Sequence, residues 1–169
     1  MSTIHVCSMA RVPETIDAVG ASHLLTLLSP NSGFVRPGSI VAQNHLHLVM
    51  HDIAEAMDGH TPPGREHVAR LIEFGRRWDR AAPLVVNCYA GISRSTAAAF
   101  IVAASLDPRR DENALAAEMR RLSPSATPNR RLVGFADDIL GRSGRMVAAI
   151  DAIGRGVDAF EGVPFSLRL

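Results

Sequence analysis

Asn87-Cys88-Tyr89-Ala90-Gly91-Ile92-Ser93-Arg94-Ser95-Thr96 lies between two apolar runs, Pro83-Leu84-Val85-Val86 before it and Ala97-Ala98-Ala99-Phe100-Ile101-Val102 after it. The first run reads as a buried strand and the second as a buried helix, so the polar stretch between them is a tight strand-to-helix loop. A loop of this length can turn its backbone N–H groups toward one point at the helix N-terminus, and such a point binds an anion. The amides of Tyr89, Ala90, Gly91, Ile92 and Ser93 would supply that cradle, with Gly91 giving a backbone geometry that other residues resist. Cys88 stands at its base. Arg94 stands at its edge, where a planar guanidinium can grip two oxygens of a phosphate. A cation at a helix N-terminus opposes the helix dipole unless an anion binds beside it, which favours a ligand over a merely solvated arginine. The same positive surroundings suit a nucleophilic thiolate.

Working outward, Ile4 to Met9 reads as a first strand, Pro13 to Val19 as a short helix and Ser22 to Leu28 as a second strand. His45-Leu46-His47-Leu48-Val49 alternates and reads as a third strand. Thr61 before Pro62-Pro63 has the form of an N-cap and first turn, and Val68, Leu71, Ile72, Gly75 and Trp78 then recur at helical spacing. Beyond the loop the chain reads as helical over 93–105, 111–122, 129–140 and 143–153. The tail from Gly154 is glycine-rich, with Phe160, Val163, Phe165 and Leu167 in weak alternation; it is either docked or mobile. Early strands alternating with helices, followed by a helical second half, indicate an α/β fold with a parallel or mixed sheet covered on both faces. Ligands in such sheets bind beyond the carboxyl ends of the strands, where Cys88 lies.

The 169 residues suffice for one domain with a sizeable core, and we take 1–169 as a single unit. A hydrophobic share of 47% and a charged share of 21% are ordinary for a globular protein, and a net charge of +1 leaves no bulk field for nucleic acid or membrane. All 18 basic residues are arginine, for which a high-GC bacterial genome is the simplest source. Two cysteines, Cys7 and Cys88, form no disulfide framework. A reactive thiol fits a reducing compartment, and no signal peptide or membrane-length apolar run is evident, so a cytoplasmic location is expected.

The stretch Cys88-x5-Arg94-Ser95 resembles the signature loop of the cysteine-dependent protein tyrosine phosphatases, and Cys-Tyr-Ala-Gly-Ile-Ser-Arg-Ser is most similar to the dual-specificity branch. Arg120-Arg121-Leu122-Ser123-Pro124 and Pro128-Asn129-Arg130 fall where that branch carries an arginine-proline and a proline-asparagine before its last helices. The likeness runs from roughly Leu46 to Leu140. It implies a three-layer α/β/α fold around a mostly parallel sheet of about four or five strands. It implies Cys88 as nucleophile, Arg94 as phosphate ligand and Ser95 as the hydroxyl that eases departure of the thiolate. Ser95 otherwise reads as a capping hydroxyl. It also implies an upstream general acid. Asp52, after the third strand, falls at the matching place; Asp58 and Glu55 compete, and Asp52 otherwise reads as a strand-end or N-cap residue. No metal or cofactor is implied. His45 and His47 share a strand face and His51 lies near, but they complete no recognisable ligand set.

The chain departs from the family at Asn87, where a histidine is usual. Asn can brace a loop with its amide and its oxygen but cannot carry positive charge. Two readings follow: a phosphatase for phosphotyrosine or a related phosphoprotein or small phosphate monoester, or a module of the same fold that binds phosphate without turnover. A lipid or nucleotide phosphatase is a further alternative, weakened by the uncharged residues between Cys88 and Arg94. The Arg94-Ser95 ending does not support sulfur transfer. Cys7 reads as a small buried residue rather than a disulfide partner of Cys88, and Trp78 reads as core.

Overall fold

The computed structural model describes residues 2–169. The elements follow as β1 (Thr3–Ser8), α1 (Val12–Val19), β2 (His23–Leu28), β3 (His45–Val49), α2 (Arg65–Arg77), β4 (Leu84–Cys88), α3 (Arg94–Leu106), α4 (Glu112–Leu122), α5 (Arg130–Ile139), α6 (Arg145–Ile153) and β5 (Phe165–Arg168). One five-stranded sheet runs in the order β3-β2-β4-β1-β5. The first four strands are mutually parallel and β5 joins the edge antiparallel to β1. The carboxyl ends of β1, β2, β3 and β4 therefore lie at one edge, and the loop after β4 opens there.

Packing follows from the apolar pattern. β4 is buried along its whole length, as a central parallel strand flanked by helices must be. α3 is buried from Arg94 to Ser105, matching an apolar stretch with no polar face. It lies between the sheet and the other helices. α2 approaches it closely at Gly75, where a Cβ would stand 3.0 Å from Val102. The main core joins Ile4, Leu25, Val86, Phe100, Leu132 and Met146 on this side, and Trp78 belongs to it. A smaller core of Cys7, Val12, Ile16, Leu24, Ile40 and Val85 fills the α1 side. The layers are thus α/β/α, with α1 on one face and α2 with the helical second half on the other.

The expected elements form, with boundaries displaced by a residue or two. Thr61 is not an N-cap. α2 starts at Arg65 behind Gly64, because Pro62 and Pro63 keep the preceding backbone extended. Thr61 instead pairs with His51: its carbonyl accepts from the His51 N–H at 2.7 Å and its N–H donates to His51 Nδ1 at 2.9 Å. The tail docks, but only Phe165 to Arg168 form a strand; Phe160 is fully exposed. Among the described residues no helix is long and apolar enough to cross a membrane.

His45 and His47 stack at 5.8 Å between ring centroids, with Phe34 packed against both. Among the described residues no three His, Cys, Asp or Glu side chains gather to hold a metal ion. Burial, then His47 and Arg36, push His45 down to about 4. Between its ordinary value and about 4 the unfolded chain takes up a proton that folded His45 refuses. Stability is therefore full above the ordinary histidine range and is lost as pH falls through that window. Discounted for partial solvent exposure, the loss is about 1–2 kcal/mol. Urea midpoints at pH about 7 and about 4.5 should show it, and His45→Gln should make the decline shallower.

Candidate active site

Cys88 ends β4 and is buried, with its Sγ 3.1 Å from the Ser95 hydroxyl. From Tyr89 to Ser93 every carbonyl except that of Gly91 is held by a named partner outside the loop. Tyr89 accepts from the Met9 N–H at 3.1 Å, Ala90 from Gly162 at 2.8 Å and Ile92 from Thr127 at 2.9 Å. The Ser93 carbonyl accepts from Ala97 at 3.0 Å and from Asn129 at 3.2 Å. The Thr96 hydroxyl adds bonds to the carbonyls of Ile92 and Ser93. A trans peptide points its N–H opposite its C=O. Fixing these four carbonyls outward therefore turns the N–H groups of Ala90, Gly91, Ser93 and Arg94 inward. Among the described residues, none of the N–H groups from Tyr89 to Ser93 has a hydrogen-bond partner in the protein.

Gly91 carries the positive φ that this turn requires, +74°. Its missing side chain matters twice, since a Cβ there would lie 2.9 Å from the Cys7 carbonyl carbon and the Ser8 nitrogen. The loop is thereby pressed onto the end of β1.

Arg94 opens α3 and is 5% exposed. Its Nη1 donates to the Met50 carbonyl at 2.8 Å and to the Ser29 hydroxyl at 3.1 Å, which ties it to the segments leaving β3 and β2. Its Nε is buried and has no partner. A guanidinium N–H without an acceptor is costly in a protein interior. A phosphate oxygen would satisfy it.

Asp52 follows β3, and its Oδ1 accepts from the Ser93 hydroxyl at 2.7 Å and from Asn129 Nδ2 at 2.9 Å. The loop and this carboxylate are thus in direct contact. Asp58 and Glu55 are not brought there: both are exposed, Asp58 offers its carbonyl to His60, and Glu55 lines a separate cavity with Arg65, Arg130 and Arg131. Asn129 stands in the sequence only as part of the proline-asparagine match. Its Oδ1 caps α5 by accepting from Arg131 and Leu132, both at 3.1 Å, while its Nδ2 holds Asp52 and the Ile53 carbonyl. An asparagine just before a helical run is a capping signal, but nothing local announces its second bond.

Asn87 does not touch the loop's outward carbonyls. Its side chain points sideways to β2, where Oδ1 accepts from the Thr26 hydroxyl at 2.8 Å; its Nδ2 is buried without a partner. Thr26 gives its one proton to Asn87 and so accepts from His45 Nε2 at 3.0 Å. The base of the loop is tied across three strands. Cys7 lies beside Asn87 in the register, whereas Ser8 is the partner of Cys88. Cys7 packs in the α1-side core and both cysteines are free. Burial, opposed by the Thr15 hydroxyl, pushes the Cys7 thiol up to about 11, so it is inert as a thiolate.

No protein-family model matches the chain, and neither does any curated protein. Solved structures do. The crystal structure of DUSP15 is 17% identical, with a TM-score of 0.63 over 88% of this chain and 90% of that one. The PTP-2 phosphatase of Cydia pomonella is 14% identical, with a TM-score of 0.62 over 80% and 84%. Human DUSP28 is 18% identical, with a TM-score of 0.56 over 83% and 89%. The chain has the fold of these phosphatases: a mostly parallel sheet, helices on both faces and a helical second half.

Proposed function

We propose that this chain is a phosphoric monoester hydrolase that works through a cysteinyl-phosphate, acting on phosphotyrosine or a related phosphoprotein or small phosphate monoester. The observation that carries this reading is the set of unpartnered donors, the Arg94 Nε and the N–H groups of Tyr89 to Ser93, in the loop that begins at Cys88. Donors aimed in advance at a tetrahedral oxyanion stabilise it as charge shifts in the transition state.

In the first step Cys88 Sγ attacks phosphorus and the ester oxygen leaves, taking a proton from Asp52. In the second, water attacks the cysteinyl-phosphate, gives its proton to Asp52, and sulfur departs as a thiolate. Ser95, 3.1 Å away, would donate to that sulfur. Neither step calls for a metal. The contact of Asp52 with Ser93 favours turnover over a module that only binds, because it puts a carboxyl group against the rim of the loop. A fixed general acid is of use only to a leaving group.

Turnover of a generic aryl phosphate tests this reading. Within that assay, Asp52→Asn should slow substrates with poor leaving groups by about two to three decades and leave highly activated esters nearly unchanged. Asn129→Ala should give the same dependence on leaving group at about tenfold, the size of one charge-assisted hydrogen bond. If Asp58→Asn reproduces the pattern and Asp52→Asn does not, the acid is Asp58.

A further inference from the structure

The segment 154–164, between α6 and β5, crosses the outer side of the Cys88 loop as a strap. Arg120 anchors its start by donating to the carbonyls of Ile153 at 2.8 Å and Gly154 at 2.5 Å. The Gly156 N–H then donates to the Thr127 hydroxyl at 3.0 Å and the Val157 N–H to the Pro124 carbonyl at 3.0 Å. Its far end is fixed by the pairing of β5 with β1. Between these anchors Glu161 Oε1 accepts from the Ser8 hydroxyl at 2.5 Å and from Arg11 Nε at 3.0 Å. The next residue, Gly162, donates its N–H to the Ala90 carbonyl at 2.8 Å.

Two features make this contact more than a surface bond. Ala90 C=O and Gly91 N–H belong to one planar trans peptide, so holding the carbonyl outward aims the N–H inward. Gly162 also lies so close to the loop that a Cβ would stand 2.6 Å from the Gly91 carbonyl oxygen, less than any real Cβ contact allows. The loop is therefore clamped between the end of β1, behind Gly91, and the strap at Gly162. Glu161 joins the strap to Ser8, which pairs with Cys88 in the sheet register.

We propose that Glu161 and Gly162 are positioning residues for the phosphate loop, orienting the Ala90–Gly91 peptide toward the bound phosphate. This rests on the proposed binding of phosphate at Cys88. Neither residue touches the substrate; both act through Ala90.

The test uses the full chain, with an aryl phosphate as substrate, inorganic phosphate as competitive inhibitor and thermal unfolding as a control for folding. Gly162→Ala either pushes the loop or lifts the strap, and both disturb the Ala90–Gly91 peptide. Its phosphate Ki and its kcat/KM should worsen by about tenfold or more. Glu161→Ala removes an exposed latch and should worsen both about threefold, with the unfolding temperature nearly unchanged. Glu161→Gln keeps an acceptor for Ser8 and should recover most of the loss. A merely structural role would lower the unfolding temperature and leave the Ki of the folded protein unchanged. Should Gly162→Ala fail to fold, the Glu161 pair decides. Folded variants whose Ki equals that of the wild type overturn the proposal while leaving the phosphatase reading intact. A wild type that neither hydrolyses aryl phosphate nor binds inorganic phosphate overturns both.

Discussion

Cys88→Ser should abolish turnover of aryl phosphate, by about six decades where loss of a nucleophile in other hydrolases is a guide, while inorganic phosphate still binds. The separation follows from where the binding donors come from. They are backbone N–H groups of Tyr89 to Ser93 and the Arg94 guanidinium, and none is on the Cys88 side chain. Serine is nearly isosteric and fits the buried strand end beside Ser95. Its hydroxyl is a much weaker nucleophile at neutral pH, and the carboxylate at the site, Asp52, contacts Ser93 and Asn129 rather than residue 88. Wild-type activity should survive a strong chelator. A fully active Cys88→Ser, or loss of wild-type activity on chelation, would contradict the mechanism.

Arg94→Lys should lower kcat/KM by about two to four decades, equivalent to about 3–5 kcal/mol of transition-state stabilisation. Arginine holds two roles at once. Nη1 reaches the Met50 carbonyl and the Ser29 hydroxyl, which fixes the plane of the guanidinium, and Nε remains for a phosphate oxygen. Lysine keeps the charge but offers a single nitrogen, which cannot reach Met50 and a phosphate with the same geometry. Phosphate affinity should fall less than kcat, because the fork matters most as the phosphoryl group flattens in transit. An Arg94→Lys enzyme within threefold of wild type would place Arg94 away from the phosphate.

The fold and the placing of the loop are legible in the sequence because the elements near the loop are each encoded locally. The apolar run of β4, the glycine at the turn and the apolar α3 need only neighbouring residues to be recognised, whereas Asp52 is singled out only by the family resemblance. What escaped depends on distant pairs. Asn129 meets Asp52 across 77 residues, and a capping asparagine gives no sign of its second bond. Asn87 resembled a loop brace because it precedes Cys88, yet its partner is Thr26 on β2, an unremarkable strand residue. The strap was opaque for a different reason. Its contacts are made by backbone groups, by the carboxylate of Glu161 and by a glycine whose lack of a side chain is the point, so the weak alternation of Phe160, Val163, Phe165 and Leu167 tells only of β5. Thr61 misled because capping residues and extended turn residues share the same side chains, and the two prolines that follow settle the matter for extension.

The central claim is that phosphate passes through sulfur on Cys88. The most direct measurement is mass spectrometry of the wild-type chain quenched during turnover of an aryl phosphate, followed by mapping of the modified peptide. The expected result is the added mass of one phosphoryl group on the peptide carrying Cys88, lost once the substrate is exhausted and absent from Cys88→Ser. Turnover with no such adduct at any quench time, or an adduct on another residue, would contradict it.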